Sequence, residues 1–201
     1  MDLWGLDAVI AGSQKTLMLP PGLGFVAFSE RAWEAAARAT MPKFYFDLTK
    51  ARNSLEKGGE TPYTPNTSLF VALEVALNMI WEEGLEQRWE RHHRLALAAR
   101  AGMKALKLSL FAAPNVLSDT ITSVTSPVDS GELTKRVREE HKIIIAGGQD
   151  ELKGRIFRIG HMGTCQLEQV LQTVEAIAAV LNGMGYECDG AAAVEAAGEA
   201  Y

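Results

Sequence analysis

Three places in this chain combine residue types and spacing that could do chemistry. Lys15 stands in Gly12-Ser13-Gln14-Lys15, after the apolar run 6–11 and ahead of Pro20-Pro21-Gly22. A lysine at the end of a buried strand is partly desolvated, which lowers its pKa and makes the amine a nucleophile. Imine formation with an aldehyde needs such an amine. By residue type alone, a lysine that lays its stem on the surface and keeps its charge in water fits equally. Arg158 lies in Arg155-Ile156-Phe157-Arg158-Ile159-Gly160-His161-Met162-Gly163. Its guanidinium could grip an α-carboxylate through two parallel hydrogen bonds, or form an ordinary surface ion pair. Arg155, on the opposite face of the same strand, reads as solvated. Third, Thr61-Pro62-Tyr63-Thr64-Pro65-Asn66-Thr67 offers hydroxyls and backbone N–H groups stiffened by prolines. Such a segment can cradle a phosphate or serve as a rigid linker.

The elements that must position these residues can be read from pattern. Residues 6–11 and 24–29 predict strands on either side of the lysine turn. Ser29 is a candidate cap for a helix that begins with Glu30, and Asp47 for another that runs to Lys57 and stops at Gly58-Gly59. Leu69, Leu73, Ala76, Leu77 and Ile80 recur at helical spacing. A break near Gly84 leads to a second long helix with Leu85, Trp89, Leu95 and Ala99 toward a core. The remainder alternates: a strand over 121–126, a helix over 130–141, a short strand at 143–145, a strand over 155–160, and a helix whose face is Leu167, Val170, Leu171, Val174, Ile177 and Leu181. That order predicts a small α+β module. The tail from Asp189 is rich in Ala, Gly and Glu and predicts disorder.

Composition narrows the classes. The 201 residues are 47% hydrophobic and 22% charged, ordinary for a globular chain able to build a core. The net charge of −5, with scattered Lys and Arg, argues against a nucleic-acid partner. No apolar run of about 18 residues is present to span a bilayer. Met1-Asp2-Leu3-Trp4-Gly5 lacks the basic start of a signal peptide, so a cytoplasmic location is expected. Cys165 and Cys188, without a CxxC, read as reduced thiols. His92, His93 and His141 read as surface residues, neighbouring helix positions 92 and 93 being poorly placed to share one metal. His161 could border a substrate pocket, and no metal site is expected.

The motifs together closely resemble the class V aminotransferases among the fold-type I pyridoxal-phosphate enzymes, in the alanine–glyoxylate and serine–glyoxylate branch. Trp4-Gly5-Leu6-Asp7, Gly12-Ser13-Gln14-Lys15, Pro20-Pro21-Gly22-Leu23, Thr61–Thr67 and Arg155–Gly163 occur in the family's order. The resemblance implies an α/β fold: the end of a large-domain sheet over 1–84, a small C-terminal α+β domain over 85–186, and a tail over 187–201. It implies that Lys15 carries pyridoxal 5'-phosphate as an internal aldimine and then moves the α-proton as general acid/base. It places Gln14 near the cofactor phosphate and Arg158 on the substrate carboxylate. It also implies that Thr64, with Tyr63 and Thr61, reaches the phosphate of a neighbouring subunit, hence a homodimer. The implied reaction is ping-pong transamination between alanine or serine and glyoxylate or pyruvate. Cysteine desulfurases of the same superfamily carry a histidine where Gln14 stands.

In the resembling enzymes, the aspartate that pairs with the pyridine nitrogen and the aromatic residue stacked on the ring lie upstream of the lysine, beyond what precedes Lys15 here. Two expectations follow. Either the chain works with a missing N-terminal half, or it is a catalytically incompetent remnant that acts only as a partner subunit.

Overall fold

A computed structural model describes residues 1–201. The chain divides into two compact units, Met1–Met79 and Ile80–Tyr201. The division falls inside a helix, slightly ahead of the boundary expected at Gly84.

In the first unit, β1 (Ala8–Gly12) and β2 (Gly24–Phe28) form an antiparallel ribbon with Gly12 opposite Gly24. Helix α1 (Glu30–Arg38) follows; the Ser29 hydroxyl accepts from the Ala32 N–H and donates to Asp7. Asp7 also takes a two-pronged bond from Arg31, whose guanidinium holds the Asp7 carboxyl below its usual range. Helix α2 (Leu48–Gly58) begins where Asp47 accepts from the N–H groups of Thr49 and Lys50. It ends at Gly59, whose φ of 66° is one that glycine adopts without strain. Helix α3 (Thr67–Glu83) carries apolar residues on most faces, yet only Leu69 among them is buried. Within the whole first unit, Leu69 and Ser13 are the buried residues.

The second unit holds the core. Helix α4 (Leu85–Ala105) leads to β3 (Ile121–Thr125), α5 (Ser130–His141), β4 (Ala146–Gly147), β5 (Ile156–Gly160), α6 (Leu167–Gly183) and α7 (Gly190–Glu199). The strands form an antiparallel sheet in the order β3-β5-β4. Leu95, Ala99, Met103, Val124, Leu133, Phe157, Val174, Ile177 and Leu181 lie in one cluster between sheet and helices. Fully burying a side chain of Leu or Phe size contributes roughly 1.5–3 kcal/mol, so this cluster dominates the stability of the unit.

Four expectations are corrected. The tail is helix α7, because Asp189 caps it and its small residues permit close approach: Ala193 and Ala197 are buried, and Gly190 backs onto Ala178. A composition poor in large apolar residues still packs when the neighbouring helices supply a flat small-residue face. Trp89 and Leu85 are exposed while Leu95 and Ala99 are buried, since only the later turns of α4 meet the core. His92 is buried rather than superficial. The short strand is Ala146–Gly147 instead of residues 143–145, set by pairing with Arg158 and Phe157.

We expect Ala197→Asp to lower unfolding stability by about 3 kcal/mol in urea denaturation, an uncompensated carboxylate then being buried. Glu199→Ala, on the exposed side of α7, should change it by less than about 0.5 kcal/mol.

Candidate functional site

The turn that carries Lys15 is closed by a buried hydroxyl. Ser13 is fully buried; its Oγ donates to the Pro20 carbonyl at 2.8 Å and accepts from the Leu23 N–H at 3.2 Å. The Ser13 backbone joins the same clasp, its N–H donating to Leu23 O and its carbonyl accepting from Leu19 N–H. Within this loop Met18 N–H bonds Lys15 O, and Met18 holds a φ of 55°, strained for a residue with a Cβ. Gln14 folds back over Gly12, where a Cβ would lie 2.7 Å from Gln14 Oε1. Gly22 lies so close to Leu69 that a Cβ there would meet Leu69 Cδ1 at 2.5 Å. The lysine turn is thereby seated on the first turns of α3, next in sequence to Thr61–Thr67.

The Lys15 side chain is exposed, and its amine makes no hydrogen bond or ion pair within the chain. The expected desolvation at the end of a buried strand is therefore absent: β1 pairs only with β2, and a two-stranded ribbon leaves its strand ends open. Gln14, Thr61 and Thr64 are exposed and Tyr63 is half-buried. The hydroxyl of Thr61 donates to Tyr63 O at 2.7 Å, and that of Tyr63 donates to Phe44 O at 3.0 Å.

Arg158 belongs to the second unit. It lies half-buried on β5, opposite Ser123 of β3 and Ala146 of β4. Its Nε donates to Gly147 O at 3.0 Å, and it has no carboxylate partner in the chain. Both terminal nitrogens remain for a ligand, and a half-buried guanidinium without a counter-ion suits an incoming carboxylate. Arg155 is exposed, as its place on the opposite face implied.

The segment after β5 is anchored by residues that no motif marked. Arg91 donates to Gly163 O at 2.9 Å and to Cys165 O at 2.6 Å, while its Nε and Nη2 also donate to the Glu83 carboxylate. Arg88 also bonds Glu83, and the two guanidiniums hold that carboxyl below its usual range. His92 Nε2 meets the same Gly163 carbonyl at 3.2 Å. His161 is fully buried with Nε2 2.9 Å from Thr122 Oγ1 and Nδ1 unpartnered. Burial, with the Arg100 charge nearby, pushes its pKa down to about 4. His161 is thus sealed from solvent within this chain. Burial raises the Cys165 thiol, and with its carbonyl clamped this cysteine is neither mobile nor readily ionised. Spacing could not reveal the Glu83–Arg91 pair, because it closes across the break at Gly84. No group of three or more His, Cys, Asp or Glu side chains is placed to hold a metal ion.

The site's two halves, an exposed amine on a clasped turn and an arginine without a carboxylate partner on a small antiparallel sheet, lie in a chain whose solved structural neighbours are fold-type I aminotransferases. Comparisons agree: the Aminotransferase class-V profile matches residues 1–178, and the chain belongs to that family. It is 49% identical over 187 residues to a protein of Synechococcus sp. named soluble hydrogenase, small subunit, covering 92% of this chain and 48% of that one. To the serine–glyoxylate aminotransferase of Arabidopsis thaliana it is 35% identical over 189 residues, covering 92% and 47%. The crystal structure of pyridoxamine–pyruvate aminotransferase from Mesorhizobium loti superposes with a TM-score of 0.90 at 32% identity, covering 96% of this chain and 51% of that one. The chain spans about half the length of the curated relatives it matches.

Two outcomes test this geometry. Ser13→Ala removes the two bonds that the buried hydroxyl makes to Pro20 O and Leu23 N–H, and should cost about 1–2 kcal/mol by thermal or urea unfolding. For His161 the folded pKa lies below the unfolded value, so stability is complete above about pH 6.5 and falls as pH drops toward 4. About 2 kcal/mol should be lost between pH 7 and pH 5 in urea midpoints, and His161→Gln should flatten that slope.

Proposed function

We propose that this chain contributes the lysine and the carboxylate-binding arginine to a pyridoxal-phosphate-dependent transamination between a small amino acid, alanine or serine, and a 2-oxo acid, glyoxylate or pyruvate. The observation that carries the proposal is Lys15: an amine with no partner in the chain, on a turn held by the buried Ser13 hydroxyl. Residues present fit the cofactor. Lys15 supplies the amine for its aldehyde, the exposed Gln14 precedes it in the same turn as a candidate for the phosphate, and the Thr64 hydroxyl is free to donate to phosphate. Pyridoxal phosphate, when bound, supplies the electron sink that makes an amino-acid α-proton removable.

The chain's own contribution is positional and acid–base. Arg158 would take the substrate carboxylate on its two free terminal nitrogens and so fix the orientation of the α-carbon. Lys15, released from covalent linkage, would carry the proton to and from that carbon. The clasp at Ser13 limits how far the amine can wander, which matters because misplacement by about 1 Å can cost on the order of 100-fold in rate.

A second reading is favoured by the scarcity of buried residues in the first unit. Ile10, Val26, Phe46, Val71, Val75 and Leu77 are exposed, and a surface of that kind calls for a covering chain. That cover would be a second copy in a homodimer, or a polypeptide carrying the remaining half of the fold. Without it, the chain would act only as a partner subunit and not turn over.

Adding pyridoxal phosphate to the purified chain should give a visible absorbance band and, after borohydride reduction, a stable adduct mapped by mass to Lys15. Lys15→Ala should abolish both. A folded wild-type chain with neither signal would reject the proposal for this polypeptide.

A further inference from the structure

The protons of Thr61 and Tyr63 are already committed, and this shifts attention to a lysine that no motif singled out. Thr61 Oγ1 donates to Tyr63 O and Tyr63 Oη donates to Phe44 O, so neither hydroxyl has a proton left for a ligand. The group that meets Tyr63 Oη is the Lys50 ammonium, which donates to it at 3.1 Å. That ammonium lies 4.4 Å from the centre of the Tyr63 ring and 5.4 Å from that of Phe44. Tyr45 stacks on the other partner of this corner, its ring centre 4.8 Å from that of Tyr63 at 23°. Two aromatic faces and one phenol oxygen therefore fix a cation beside the Thr61–Thr67 segment, leaving its other N–H groups free. Contacts of this kind hold an ammonium in place without neutralising its charge.

We propose that Lys50 is the positive charge of the phosphate-binding segment, that Thr64 is its hydroxyl donor, and that Tyr63 and Thr61 are positioning residues acting through the shape of the segment. The ligand class is a phosphate monoester dianion. The inference rests on the pyridoxal-phosphate reading for the identity of that ligand, though not for the chemistry of the corner. Nearby acidic groups have to be weighed. Asp47 lies along the same groove, but one of its oxygens is occupied by the N–H groups of Thr49 and Lys50. Glu60 lines both the Lys50 groove and the hollow formed by Thr61, Tyr63, Thr64 and Phe70, and it has no cationic partner within the chain. A carboxylate there opposes an anion, and so supplies a test of sign.

Inorganic phosphate serves as the first probe, its binding to the full chain followed by phosphorus NMR line broadening. Pyridoxal phosphate and unphosphorylated pyridoxal are then titrated by absorbance. Lys50→Met should weaken phosphate and pyridoxal phosphate about tenfold, a charge-assisted bond's worth, and leave pyridoxal unchanged. Lys50→Arg should retain most of the binding, and Glu60→Gln should tighten it. Equal losses for pyridoxal and its phosphate, unchanged phosphate binding in Lys50→Met, or no phosphate binding by the wild type would each overturn the assignment. Lys15→Ala separates the two readings: it should remove the absorbance band and keep phosphate binding.

Discussion

Apolar burial is confined almost wholly to one of the two units, and the rest of the structure follows from that constraint. Helices α4, α5, α6 and α7 close over the sheet β3-β5-β4, so Phe157, Leu95, Val174 and their neighbours are removed from water. The first unit has no comparable cluster. Its order comes from directional bonds and local contacts: the Ser13 clasp, the Asp7–Ser29–Arg31 knot, the Asp47 cap, and Gly22 against Leu69. Such bonds each contribute only about 0.5–1.5 kcal/mol, far less in sum than the apolar cluster of the second unit.

The two candidate catalytic groups are held by different physics as a result. Arg158 sits on the central strand of a sheet whose other face packs on the core, so its position is set by burial of Phe157 and Ile159 beside it. The Arg91 clamp then pins the segment where β5 ends, using main-chain carbonyls that a helix or sheet would otherwise have satisfied. Lys15 has no such support. Its turn is held by one buried hydroxyl and tolerates a strained Met18, a pattern met where a side chain is presented to a ligand.

Much of the local structure was legible in the sequence. The caps at Ser29 and Asp47, the stop at Gly59 and the helix Ser130–His141 lie where residue type alone puts them, because capping and left-handed turns involve neighbours in the chain. The family, too, was legible from short motifs in order, and residues 1–178 match it. What escaped were features set by distant partners. His92 is buried because Gly163 comes to it from far along the chain; α7 is a helix because α4 and α6 offer Gly102 and Ala178 as close seats.

Sequence by itself determined which residues can do chemistry: a lysine in a Gly-Ser-Gln turn, an arginine on a strand, hydroxyls between prolines. Those are properties of covalent structure and near neighbours. Tertiary structure alone decided which of their polar atoms remain available. Lys15 and the terminal nitrogens of Arg158 are left free, whereas the protons of Thr61 and Tyr63 are spent on backbone carbonyls. A hydrogen atom can be donated strongly to only one acceptor at a time, and which acceptor lies within reach depends on how the chain folds back on itself.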